Sequence, residues 1–275
     1  MSVVAVSPGS ITGFFVIFKN GSTGASLNIA NGMKTRVSKS DKDFFVLNGK
    51  KSFLPVSRKV LELFRVKTGV CDNVRVEHET VFPIGYGLGI SGAGALSLSL
   101  ALNKFFRTKL SKEEVVEIAK QAEIFCGTGL GDVVAEQFCG LLIGKKPYPS
   151  RSAWVIRPKE RFVVLGFFRP IKTKVIIRSK SWKKKINAVG LYCMEKISKD
   201  RSLENFMVLS KKFALETGLA NKKIGSIIEK LDCASMAMLG ETIFIPTNSP
   251  WKVKAQLQKF CKRVLVARVA LHGAK

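Results

Sequence analysis

The segment Pro83-Ile-Gly85-Tyr-Gly87-Leu-Gly89-Ile-Ser91-Gly92-Ala-Gly94-Ala95 carries five glycines into an apolar run, with Ser91 at the start of that run. Glycine lets backbone approach a ligand closely. The free N–H groups of a helix start, with the positive end of its dipole, make an anion site suited to a triphosphate. Two carboxylates follow: Glu123 stands seven residues after Val116 and four after Ala119, and Asp132 follows Gly127-Thr128-Gly129-Leu-Gly131. Taken singly they have ordinary readings. The glycines could serve close packing on a sheet, Glu123 could reach solvent or pair with Lys120, and Asp132 could cap the next helix. Together, a cradle, a hydroxyl at its mouth and two acids are the parts of phosphoryl transfer: a phosphate holder, a metal holder and a group to orient or deprotonate an alcohol.

Other chemistries fit poorly. Gly87-Leu-Gly89-Ile-Ser-Gly92 matches a dinucleotide fingerprint, but the acids about 20 residues on, Glu113 and Glu114, sit in a helix-opening box rather than at a strand end. Gly140 to Lys145 lacks the spacing and the Ser/Thr of a P-loop. His78 and His272 are the only histidines, which disfavours a histidine triad or a multi-histidine metal site. Cys71, Cys126, Cys139, Cys193, Cys233 and Cys261 form no C-x-x-C pair and read as reduced, mostly buried thiols. No apolar run reaches the length of a membrane helix, and the N-terminus does not resemble a secretion signal; a cytoplasmic protein is expected.

The elements that must position these groups are legible in outline. Strands are expected at Val3–Val6, Phe14–Phe18, Ala25–Ala30, Phe44–Leu47 and Val74–Glu77, with turns at Asn20-Gly21 and Asn48-Gly49. A buried helix is expected over Ser91–Phe106, a second from the Ser111-Lys-Glu-Glu114 capping box to near Gly127, then a short helical stretch after Asp132 and an apolar run at Leu141–Ile143. Pro147 to Pro149 reads as a domain boundary, giving lobes of 1–150 and 151–275. Beyond it, strands are expected at Ala153–Ile156, Phe162–Phe168, Val175–Ile177, Ile243–Ile245 and Arg263–Val269. Helices are expected at Trp182–Lys199, Leu203–Thr217 and Lys222–Leu231. The pattern is α+β in two lobes, with a cleft at their junction.

Composition bounds the partners. Of 275 residues, 46% are hydrophobic and 24% charged, as in a globular protein with a core. The net charge of +26 is uneven: 19 basic and 12 acidic residues precede the expected boundary, 27 and 8 follow it. Such a field draws anions, nucleic acid or anionic small molecules alike. The aromatics of the second half alternate with apolar residues as core positions do, and no RNA motif accompanies them, so nucleic acid is the minor alternative.

These residues resemble the GHMP kinases, the family of galactokinase, homoserine kinase, mevalonate kinase and phosphomevalonate kinase. Pro83–Ala95 is similar to the family's second motif, P-x-x-x-G-L-G-S-S-A-A, with Ile90 and Gly92 as departures. Ser7-Pro-Gly-Ser10-Ile-Thr12-Gly13 stands where the first motif is expected, and Ala237-Met-Leu-Gly240 is a poorer match to the third. The resemblance implies a two-lobed GHMP kinase fold, with an N-terminal ribosomal-protein-like α/β lobe and a C-terminal ferredoxin-like α+β lobe. Within the family, Ser7–Phe15, Gly87–Ala95 and Gly127–Ala135 are most similar to the pantoate kinase branch of archaea.

That resemblance implies ATP and magnesium as cofactors and transfer to the primary hydroxyl of pantoate, as in archaeal coenzyme A biosynthesis. Gly85, Gly87, Leu88, Gly89, Ile90, Ser91, Gly92 and Ala93 would bind ATP, and Ser91 and Glu123 would hold the metal. Asp132 would activate the acceptor hydroxyl, and Ser10, Thr12, Lys120, Thr128, Gly129 and Lys145 would contact the acceptor. Three positions depart from the branch: Ser10 and Lys120 stand where histidines are usual, and Gly144 lies near a usual arginine. The acceptor's carboxylate would then be met by Lys120, Lys145, Lys146 or Arg151. Homoserine, mevalonate and shikimate remain alternative acceptors. A membrane partner is not expected, and a second copy of the chain is left open.

Overall fold

The computed structural model describes residues 2–19, 21–129, 131–146, 152–171 and 173–275. The expected strands of the first 40 residues fuse into one long hairpin, β1 (Ser2–Phe18) and β2 (Gly21–Lys39), antiparallel and in register from Ser2↔Ser38 to Phe18↔Gly21, with bulges at Ser7/Gly9 and Thr12/Phe14. Short strand signals merge because both faces of the hairpin's middle are covered, so the sequence lacks polar alternation there. β3 (Phe44–Leu47) and β4 (Lys50–Lys51) follow, turned by Asn48 and Gly49, both at positive φ.

α1 (Pro55–Thr68), unforeseen from the sequence, buries Val56, Val60, Leu61 and Phe64 at helical spacing. Proline in its first turn and Gly69 in the left-handed region delimit it. β5 (Val74–Glu79), α2 (Ile90–Phe106) and α3 (Lys112–Cys126) come next. α3 opens with both bonds of the expected capping box, Ser111 to the Glu114 amide and Glu114 to the Ser111 amide. Then come α4 (Asp132–Ala135), β6 (Leu141–Gly144) and β7 (Ala153–Ile156).

These strands make one sheet in the order β4-β3-β5-β2-β6-β7, with β1 paired to β2, and α1, α2 and α3 enclose a core against it. The expected boundary at Pro147 to Pro149 lies outside the described residues. β7, beyond it, still pairs with β6, so the first sheet continues through Ile156.

The second half contains β8 (Phe162–Pro170), α5 (Thr173–Ile177), α6 (Lys180–Lys199), α7 (Leu203–Glu216) and α8 (Lys222–Lys230). β9 (Ser235–Met236), β10 (Gly240–Thr247), α9 (Pro250–Gln258) and β11 (Arg263–Arg268) complete it. Its sheet runs β11-β8-β10-β9, all antiparallel. Val175–Ile177, expected as a strand, is one helical turn. Of its β-branched residues only Ile176 is buried while Val175 is exposed, so the segment has no sheet face to pack on.

The two halves share a core. Phe14 of β1 stacks at 5.8 Å on Phe206 and 6.5 Å on Phe213, both of α7, and Phe206 meets Phe244 of β10 at 6.2 Å. The Asn187 side chain of α6 exchanges two hydrogen bonds with the Ile17 backbone. The C-terminal tail returns to the first half, pairing Lys275 with Val6 and donating from Ala274 N to Glu136 O. The six cysteines are free, as expected, but only Cys193 is buried, while Cys71 and Cys233 are exposed. No helix among the described residues is long and apolar enough to cross a membrane.

Candidate active site

Gly85, Gly87 and Gly89 take φ of 85°, 76° and 66°, a conformation that a side chain would strain, and the loop they shape delivers the chain into α2 with Gly89 as its N-cap. No side chain among the described residues caps this helix, which leaves its first amides to an anion. The loop is backed by the weakly recognised third motif. A Cβ on Gly87 would stand 2.8 Å from Met238 O, Gly240 would collide with the Tyr86 backbone, and Thr242 Oγ1 donates to Tyr86 O.

A cavity of about 470 Å³ lies over this loop and reaches α5, with Gly85 to Ser91 on one side and Thr12, Ser22 and Ser26 of the β1–β2 hairpin on the other. Ser91 Oγ donates to Glu123 Oε1 at 2.6 Å, and Thr128 Oγ1 donates to the same oxygen at 2.6 Å. Glu123 is buried and does not reach solvent. Asp132 opens α4 without a side-chain capping bond; it lines the cavity and accepts a long 3.4 Å bond from Thr12, itself 3.0 Å from Ser26. Gly129 lies between the two acids: a Cβ there would collide with Glu123 Oε2 and come within 3.4 Å of Asp132 Oδ2.

Electrostatics follow from this enclosure. Burial, then the Glu123 charge, push Asp132 up to about 7, against the Thr12 bond. Burial raises Glu123, opposed by its two hydroxyl donors. A carboxyl titrating near neutrality beside an anion cradle can accept a proton from an alcohol. Ser91 and Glu123 present hard oxygens beside that cradle. This donor set fits magnesium, which takes one or two protein oxygens and completes its shell with phosphates and water.

The remaining expectations divide. Thr12, Thr128 and Gly129 line the cavity, as do all of the loop from Gly85 to Ser91 except Tyr86; Gly92 and Ala93 lie one turn into α2, behind it. Ser10 does not line the cavity: its amide donates to Leu88 O and its hydroxyl is buried without a partner among the described residues. Lys120 is buried in α3, its ammonium pKa lowered by burial, and Lys145 stacks 4.4 Å over the Trp154 ring; neither lines the cavity. Arg151 lies outside the described residues. Among the described residues, the cations that line the cavity are Lys146 and Lys174, with Arg178 close to Gly127. Lys174 and Arg178 carry no motif in the sequence. Glu136 was also missed, a buried third acid whose one signal was its i+4 spacing from Asp132.

Residues 56–140 match the N-terminal domain model of the GHMP kinases. The chain is 39% identical over 248 residues to pantoate kinase of Methanocaldococcus jannaschii, covering 86% of this chain and 90% of that one. This chain is a GHMP kinase. GHMP kinases use ATP to phosphorylate an alcohol. A second relative, pantoate kinase of Thermococcus kodakarensis, is 30% identical over 271 residues, covering 89% of this chain and 87% of that one. Among solved structures, a phosphotransferase related to the CoA biosynthesis pathway superposes with a TM-score of 0.87 at 25% identity, covering 100% of this chain and 98% of the other. The GHMP fold is shared more widely: homoserine kinase of Cytophaga hutchinsonii superposes at 0.72 with 14% identity, covering 100% and 96%.

Proposed function

We propose that this GHMP kinase transfers the γ-phosphoryl group of ATP to the primary hydroxyl of (R)-pantoate, giving ADP and 4-phosphopantoate for coenzyme A synthesis in an archaeal cytoplasm. The observation that carries the reading is Asp132, a cavity-facing acid raised to about 7, set across from a phosphate cradle in a chain similar to pantoate kinases over most of its length. The α2 amides hold the phosphates. Ser91 and Glu123 hold magnesium, which neutralises charge on the phosphates when bound. Asp132 orients the acceptor hydroxyl and takes its proton as the O–P bond forms, and Thr12 fixes the carboxylate's position.

The acceptor's own carboxylate meets Lys146 or Lys174, in place of Lys120 and Lys145. The same reading leaves a homodimer open. A panel assay of ADP release with pantoate, homoserine, mevalonate and shikimate tests it: pantoate turns over fastest, and no turnover above background with pantoate overturns the assignment.

A further inference from the structure

Glu136, the C-cap of α4, is fully buried, and neither of its carboxyl oxygens meets a donor among the described residues. It is nonetheless firmly placed. Its amide donates to Asp132 O at 2.9 Å, and its carbonyl accepts from Ala274 N of the C-terminal tail at 2.9 Å, so the backbone is held on both sides. Its side chain is directed at the first turn of α2: Oε1 stands 2.6 Å from where a Cβ on Gly89 would lie, and Oε2 3.0 Å from where one on Gly92 would lie. The same Gly92 position is 3.2 Å from Asp132 Cβ and 3.3 Å from Val133 N. The turn proposed to hold phosphates and the helix that carries the proposed base thus meet at two glycines, and Glu136 fills the contact.

We propose that Glu136 is a positioning residue for phosphoryl transfer, the spacer that sets the first turn of α2 against α4 and so fixes how far Asp132 stands from the phosphates. The inference rests on the phosphoryl-transfer reading above but not on the identity of the acceptor. Burial, and after it the charges of Asp132 and Glu123, hold the Glu136 carboxyl well above the usual range, and a glutamine would fill the same space. It makes no bond to substrate. Its effect is on alignment, to which turnover is far more sensitive than binding is.

The experiment compares Glu136→Gln, Glu136→Ala, Gly92→Ala and the Glu136→Ala/Gly92→Ala double variant by ADP-release kinetics, with nucleotide affinity from calorimetry and folding from thermal melting. Glu136→Gln retains turnover within about threefold, whereas Glu136→Ala lowers kcat about 10²-fold and leaves nucleotide Kd within about threefold. Gly92→Ala lowers kcat through the same contact, and the double variant is no slower than the slower single one. Full turnover by Glu136→Ala, equal loss in Glu136→Gln, or multiplying losses in the double variant would each overturn the spacer role. If Glu136→Ala does not fold, Glu136→Gln and Gly92→Ala decide it alone. Absence of pantoate turnover by the native chain counts against the acceptor assignment only; the variants are then compared on whichever alcohol of the panel is phosphorylated.

Discussion

Ser91 Oγ donates a 2.6 Å hydrogen bond to Glu123 Oε1, tying the mouth of the phosphate-loop helix to the last turn of α3 beside it. Both atoms are hard oxygens at the end of a dipole, and Thr128 holds the same carboxylate oxygen from the other side. Ser91→Ala and Glu123→Gln are therefore expected to raise the magnesium needed for half-maximal turnover and to lower turnover roughly 10²- to 10³-fold, the range of one electrostatic contact. A magnesium titration checks this; a curve indifferent to both changes removes them from the metal site.

The proposed role of Asp132 is on the acceptor rather than the nucleotide. Asp132→Asn keeps the shape and the Thr12 contact but cannot take a proton, so kcat falls about 10²- to 10⁴-fold. ATP affinity, measured by calorimetry, is expected to hold. A parallel loss of ATP binding would contradict the role.

The same residue predicts a pH dependence. With a folded-state pKa raised from 3.8 to about 7, Asp132 keeps its proton in the folded chain where the unfolded chain has already released it. Stability from this group is thus present at low pH and declines as pH rises from about 4 to 7, because a buried charge is being created. Melting temperatures of the native chain and Asp132→Asn should diverge across that window in favour of the variant. Turnover should rise over the upper part of the same window as the base form appears. A melting difference constant with pH would rule out the raised pKa.

Gly87→Ala tests the loop. Its φ of 76° is strained for alanine, and the new methyl would stand 2.8 Å from Met238 O of the opposing segment. The variant should lose about 1–3 kcal/mol of stability and bind ATP more weakly. Denaturant melting and ATP titration measure the two effects.

Lys146 and Lys174 line the cavity, whereas Lys145 is occupied by Trp154. Removing a charge-assisted contact to the acceptor's carboxylate should raise acceptor KM roughly 10- to 100-fold with kcat little changed. Lys146→Ala and Lys174→Ala, assayed at saturating ATP, show which cation carries it. If neither moves acceptor KM, both are excluded as the carboxylate's partner.

The sequence by itself determined the parts that depend on local chemistry. A glycine loop entering an apolar helix, a capping box and a Gly-Thr-Gly-Leu-Gly-Asp turn each dictate a backbone conformation within a few residues. The loop's entry into α2 and the capping box are where they were expected, and Ser91, bonded to Glu123, shares one cavity with Asp132. What the tertiary structure decided were the long-range choices. The short strand signals became one hairpin because both faces of β1 and β2 are covered, and Val175–Ile177 became helical because no sheet received it. β7 crossed the expected boundary because a partner strand, not a proline, fixes where a sheet ends.

Charges followed the same division. Lysine spacing along the chain could not tell Lys120, sequestered in α3, from Lys174, on a segment about 50 residues away that lines the cavity. Nor could it reveal that Glu136, one residue past the Gly127–Ala135 stretch, is pressed against Gly89 and Gly92. Burial and proximity between distant segments belong to packing, and the positive charge of the second half reaches the cavity only once folding brings Lys174 to its lining.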